Sequence, residues 1–193
     1  VGNTMIDSLV NFKDSIEKSN ITDEIKCPDA YGLMTFHRPS NVDRKETLSE
    51  LLNTIDKCCS SLTMVLPLHP RTKKSLIKHT LWDKFKDINN LIYTDSLGYL
   101  DFMKLVSNSK IVITDSGGIQ EETTFLQIPC ITVRENTERP ITIEMGNNEL
   151  GQLNASLISK KMVEKLKNTE KGEIPPLWDG DATERILEIL STS

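Results

Sequence analysis

The sequence is poor in the residues that ligate metals or staple small domains. It has four cysteines, Cys27, the adjacent Cys58 and Cys59, and Cys130, with no CxxC pair and no His/Cys grouping at metal-ligand spacing. Neither a zinc site nor a disulfide framework is suggested, and buried, reduced thiols are the expectation. No apolar run approaches the roughly 18 residues of a membrane span, and no signal peptide is evident. These absences together point to the cytoplasm. There is no basic excess either: 23 Lys and Arg against 28 Asp and Glu give a net charge of -5. A general nucleic-acid binder would carry a basic face, whereas an anionic small ligand needs only local donors. Repeats and low-complexity segments are missing. The sequence opens Val-Gly-Asn rather than with Met, and so reads as part of a longer chain.

What is present fits one globular domain of 193 residues, long enough to bury a core. Short apolar or β-branched runs at 31–36, 62–66, 90–94, 110–114 and 130–134 alternate with helical patterns at 44–59, 73–84, 99–107 and 118–126. Further helices are predicted at 3–17, 139–145, 159–167 and 182–190, and the polar stretch 168–176 reads as a loop. The rhythm predicts an α/β fold, a Rossmann-like, doubly wound parallel sheet. Ligands in such sheets bind beyond the carboxyl ends of the strands. The residues gathered at that edge are His37-Arg38-Pro39-Ser40-Asn41, Pro67-Leu68-His69-Pro70-Arg71, Asp95-Ser96-Leu97-Gly98, Asp115-Ser116-Gly117-Gly118 and Glu135 to Pro140.

Within TDSGGIQEE (114–122), two glycines remove the Cβ atoms that would hold a ligand off the backbone. The free amides and dipole of the following helix favour an anion. Ser116 either donates its hydroxyl to that anion or merely caps the helix. Glu122, one turn beyond Gly118, is placed to accept from two vicinal hydroxyls, as a carboxylate does on a ribose beside a helix-bound diphosphate. His37 and Arg38 suit a diphosphate by charge and geometry, although such a pair is more often just solvated. His69, between two prolines, reads either as a site residue or as part of a rigid structural turn, and His79 reads as a surface residue. Arg139 either adds positive charge to the anion site or pairs with Glu138 or Glu135.

TDSGGIQEE followed by IPCITVRENTERP, with VGNTMID, TFHRPSN, PLHPRT and DGDATERI, closely resembles the C-terminal domain of non-hydrolysing UDP-N-acetylglucosamine 2-epimerases. The resemblance runs from Val1 to about Leu190. It implies one half of a GT-B architecture, 1–193 being the UDP-sugar-binding half and a preceding half carrying the acid/base carboxylates. It also implies UDP-GlcNAc as ligand, no redox cofactor and no metal, and a homodimer at full length. Carried over, His37 would stabilise the departing diphosphate as a catalytic residue. Arg38 would stand beside it, Ser116, Gly117 and Gly118 would hold phosphate oxygens, and Glu122 would hold the ribose. Phe102 would border the uracil and Arg139 would contact UDP, whereas on local grounds Phe102 is a core residue of an amphipathic helix. Three positions depart from the family. Ser40 replaces an acid of HRxEN, which puts activation by a second UDP-GlcNAc in doubt, Leu97 replaces a Gln, and Arg71 replaces an Asn. A hydrolysing epimerase, a GT-B glycosyltransferase and a non-catalytic nucleotide-sugar sensor are the alternatives.

Overall fold

The computed structural model describes residues 1–168 and 171–192. Among these, β1 (Gly32–Thr35), β2 (Met64–Pro67), β3 (Leu91–Thr94), β4 (Ile111–Thr114), β5 (Cys130–Val133) and β6 (Asn148–Gly151) form one sheet. Its order is β3-β2-β1-β4-β5-β6, every neighbouring pair parallel. Helices α1 (Thr4–Asn11), α2 (Lys13–Glu17) and α3 (Ile21–Glu24) precede the sheet. The crossovers are α4 (Pro39–Val42) with α5 (Lys45–Cys59), α6 (Pro70–Lys78) with α7 (Trp82–Lys86), α8 (Tyr99–Asn108), α9 (Gly118–Phe125) and α10 (Ile141–Glu144). Helices α11 (Ala155–Lys167) and α12 (Ala182–Ser191) close the chain. The Rossmann-like α/β fold expected from the sequence is therefore the observed one.

Successive strand residues point to opposite faces, so apolar strands bury both sides. Leu33, Val65 and Val112 join Leu9, Ile16, Met103 and Leu105 on one face. Met34, Leu66, Ile113 and Ile131 join Leu48, Leu52, Ile158 and Met162 on the other. Each such aliphatic side chain contributes about 1.5–3 kcal/mol on burial, and the two layers hold the sheet from either side. Between β1 and β4 the connections leave in opposite directions, which opens a crevice at the carboxyl edge. The loops 36–41 and 115–118 meet there.

Several expected boundaries move. The helix expected at 3–17 is two helices, broken at Phe12, whose φ of -94° and ψ of 4° are not helical. The helix expected at 73–84 is also two, separated around Thr80 at φ 58°. The last long helix starts earlier than expected, at Ala155, because Asn154 accepts from the Leu157 amide at 2.9 Å and caps it. Strand β6 and the short helices α3 and α4 had no counterpart among the predicted elements. Of the loop expected at 168–176, Thr169 and Glu170 lie outside the described residues. The rest of it adopts neither helix nor strand.

Candidate functional site

The site is organised by Asp115, the residue after β4, which is wholly buried. Its carboxylate accepts from the backbone amides of His37 (3.1 Å) and Arg38 (2.9 Å) and from Asn41 Nδ2 (3.1 Å), and His37 Nδ1 stands 3.0 Å from Oδ1. The Arg38 Nε donates to the Asp115 carbonyl at 2.8 Å. Burial by itself raises the Asp115 pKa. The donors from His37, Arg38 and Asn41 more than reverse this and hold the carboxyl below the usual carboxylate range. The carboxylate fixes the loop after β1 against the loop after β4, and by engaging Nδ1 it leaves the other nitrogen of the half-exposed His37 ring free for a ligand. Sequence reasoning placed Asp115 in the motif without giving it a role. An acid immediately after an apolar strand at the switch point was the available signal.

Ser116, Gly117 and Gly118 follow directly. Ser116 is not a helix cap: the N-cap of α9 is Gly117, and no side chain caps it. The first-turn amides therefore have no intrahelical partner. The Ser116 amide is taken up by Thr114 Oγ1 at 2.9 Å, and its carbonyl accepts from Gln120 Nε2 at 3.0 Å. Neither glycine has a positive φ, so the turn itself does not demand them. A Cβ on Gly118 would come within 2.7 Å of Met5 Cε from α1. A Cβ on Gly117 would meet nothing within 4 Å. Gly117 thus leaves room at the helix N-terminus that no protein atom fills.

Glu122, 4% exposed, faces a cleft of about 340 Å³ shared with Met5, Ser8, Phe12 and Tyr99. Burial pushes its carboxyl up to about 7, partly offset by a hydrogen bond with Tyr99 and aided by the neighbouring Glu121 charge. Glu121 turns the other way. Its Oε1 accepts from Asn3 Nδ2 at 2.8 Å and lies 3.0 Å from Arg139 Nε. The Nε–H does not point along that contact, so the two are an ion pair without a hydrogen bond, and Glu121 Oε2 is also unpartnered. Arg139 thus pairs with Glu121 rather than with the carboxylates of Glu135 or Glu138. Glu138 is taken by Arg134 in a bidentate pair at 2.7 and 2.6 Å.

A family model described as UDP-N-acetylglucosamine 2-epimerase matches residues 1–191. The chain belongs to this epimerase family. It is 39% identical over 198 residues to the UDP-N-acetylglucosamine 2-epimerase of Methanocaldococcus jannaschii, covering 99% of this chain and 54% of that one. The crystal structure of that archaeal epimerase in complex with UDP-GlcNAc and UDP superposes with a TM-score of 0.91 at 36% identity, over 100% of this chain and 54% of that chain. The Neisseria meningitidis epimerase bound to UDP-GlcNAc superposes at 0.77 with 26% identity, over 100% of this chain and 54% of that one. The chain spans about half the length of the relatives it matches.

The remaining expected positions divide between site edge and scaffold. His69 caps α6, its Nδ1 accepting from the Arg71 amide at 3.1 Å, yet its ring also lies 5.3 Å from that of His37. Partial burial, with His37 nearby, lowers its pKa. His79 is not a plain surface residue; it ends α6, half-buried, with Nε2 2.9 Å from the Asp43 carbonyl. Arg71 forms a bidentate pair with Asp43 at 2.8 Å. Phe102, in α8, packs half-buried against the layer formed by α1, α8 and α9. Cys58, Cys59 and Cys130 are buried as expected, but Cys27 is only partly so. Among the described residues no group of three or more His, Cys, Asp or Glu could hold a metal ion, and no helix is long and apolar enough to cross a membrane.

Proposed function

We propose that this chain is the UDP-binding half of a non-hydrolysing UDP-N-acetylglucosamine 2-epimerase that interconverts UDP-GlcNAc and UDP-ManNAc. The observation that carries the reading is the junction at Asp115. One buried carboxylate sets the His37 ring and, in the next three residues, the chain presents an uncapped helix N-terminus with free space at Gly117. Such a place suits a diphosphate. Glu122, one turn along, is the acceptor for the ribose hydroxyls, Arg38 and Arg139 supply positive charge, and Phe102 borders the base. In the reaction a proton leaves C2 as the C1–O bond to UDP breaks, giving a 2-acetamidoglucal. UDP then adds back at C1 with a proton delivered to the opposite face of C2. His37 and the α9 amides stabilise the departing diphosphate, and the acid/base carboxylates belong to a preceding domain. The domain division, a homodimer at full length and a cytoplasmic location are parts of the same reading.

Product analysis on the full-length protein tests it. UDP-ManNAc formed from UDP-GlcNAc supports the reading, whereas free ManNAc with UDP identifies a hydrolysing enzyme and an acceptor requirement identifies a glycosyltransferase. The 193-residue chain should bind UDP weakly and not turn over, lacking the roughly 10²–10⁴-fold supplied by positioned proton transfer. Epimerisation by this chain alone would disprove the division of labour.

A further inference from the structure

Gln120 sits in the first turn of α9 and is wholly buried, among residues that have partners on three other elements. Its Nε2 donates to the Ser116 carbonyl at 3.0 Å. Its Oε1 accepts from Thr137 Oγ1 at 2.6 Å and from Asn148 Nδ2 at 3.2 Å. Thr137 Oγ1, its proton given to Gln120, accepts in turn from the Arg139 amide at 3.0 Å. On the far side, Asn148 of β6 donates to Thr142 Oγ1 at 3.0 Å and accepts from Thr132 Oγ1 of β5 at 2.8 Å. Thr142 donates back to the Arg139 carbonyl at 2.7 Å. Both backbone polar groups of Arg139 are therefore fixed by a network whose centre also fixes the carbonyl of Ser116.

The polarity of these bonds selects an amide. A donor must face the Ser116 carbonyl while an acceptor faces the Thr137 hydroxyl and the Asn148 amide, and an amide side chain offers both. A glutamate would set an oxygen against the Ser116 carbonyl, and a methionine would leave buried partners unsatisfied. The geometry points to Gln120 as a positioning residue that couples the Ser116-Gly117-Gly118 turn to the Thr137–Arg139 loop, so that two walls of the anion site are held in one register. It touches no ligand and acts through Ser116 and Thr137. The inference rests on the proposal that this edge binds a nucleoside diphosphate.

The test uses the whole 193-residue chain and UDP as the probe, with calorimetric titration, thermal melting and amide spectra of the ligand-free protein. Gln120→Glu and Thr137→Val should each weaken UDP binding by about tenfold, the size of one or two interdependent hydrogen bonds. The double variant should bind no worse than the weaker single one. Thr137 lies on a partly exposed loop, so Thr137→Val keeps the question open if Gln120→Glu unfolds, and Thr137→Ser, which keeps the hydroxyl, should restore affinity. In the ligand-free chain Thr137→Val should also shift the Gly117 and Gly118 amide resonances. A melting temperature that falls while UDP affinity stays within twofold of wild type would show a merely structural network and overturn the proposal. If the wild-type chain fails to bind UDP, the nucleotide reading falls. The spectra then still decide the coupling: unmoved Gly117 and Gly118 resonances would end it.

Discussion

At the scale of single residues, Glu122 carries the sharpest consequences. Its folded pKa of about 7 lies above its ordinary value of 4.5, so the native state holds a proton that the unfolded chain has released. The associated stability is present below about pH 4.5 and is lost as pH rises to about 7, a swing of roughly 1–3 kcal/mol. Denaturant titrations across that window should show the decline in wild type and a flatter profile in Glu122→Gln. At a pH above about 7, where its carboxylate is ionised, Glu122→Ala should weaken UDP binding about tenfold or more, since a charge-assisted acceptor for two hydroxyls is removed. Unchanged affinity would reduce Glu122 to a buried partner of Tyr99. Asp115 behaves oppositely. Held low by its donors, it stabilises the fold above its ordinary pKa and loses that contribution as pH falls through its depressed value. Gly117→Ala should separate fold from function: its φ of -74° and ψ of -48° suit alanine and its surroundings are open. Stability should stay level or rise by about 0.4–1 kcal/mol, while UDP affinity falls because a methyl enters the phosphate space.

At the scale of elements, α9 shows how far local pattern reaches. Its start, its glycines and its acidic turn were legible at 118–126 because they obey rules of helix N-termini. Its three acidic or amide neighbours proved to have three destinations: Gln120 toward β6, Glu121 toward α1 and Arg139, and Glu122 toward Tyr99. No periodicity encodes that division, because each partner lies on another element. Strand β6 was invisible for a related reason. Asn148–Gly151 carries a single aliphatic residue and is defined by backbone pairing with β5. The continuous helix expected at 3–17 broke at Phe12 although its apolar spacing gave no warning. Helix α12 has a tertiary cap: Asp7 of α1 accepts from the Ala182 and Thr183 amides at 3.1 and 2.7 Å and from the Thr183 hydroxyl at 2.6 Å. Asp7→Ala should cost about 0.5–2 kcal/mol, as N-cap losses do. Hydrogen exchange should accelerate in α12 before it does in the strands; uniform acceleration would mean that α12 is not a separate unit.

At the scale of the molecule, five of the six strands among the described residues and the doubly wound class were readable from short apolar or β-branched runs alternating with helical patterns. The signal is plainest at β4 and β5, which are buried on both faces and read as continuous apolar runs. The switch point was inferred from that class, and the residues meeting there are those that follow β1 and β4. UDP at about a hundred times its dissociation constant should raise the unfolding free energy by about 2.7 kcal/mol, measured as a shift in the denaturation midpoint. The joint between β1 and β4 carries one more consequence, and it concerns time. Thr35 aligns with Thr114 in the sheet, and the Asp115 grip on the His37 amide spans 78 positions of sequence. Closing so long a loop is entropically unfavourable and slow, and β2 and β3 are made in the interval. Refolding should therefore regain helical signal early and nucleotide capture only in the last kinetic phase. A chain that holds UDP is one whose central joint has already closed, so binding itself reports that folding is complete.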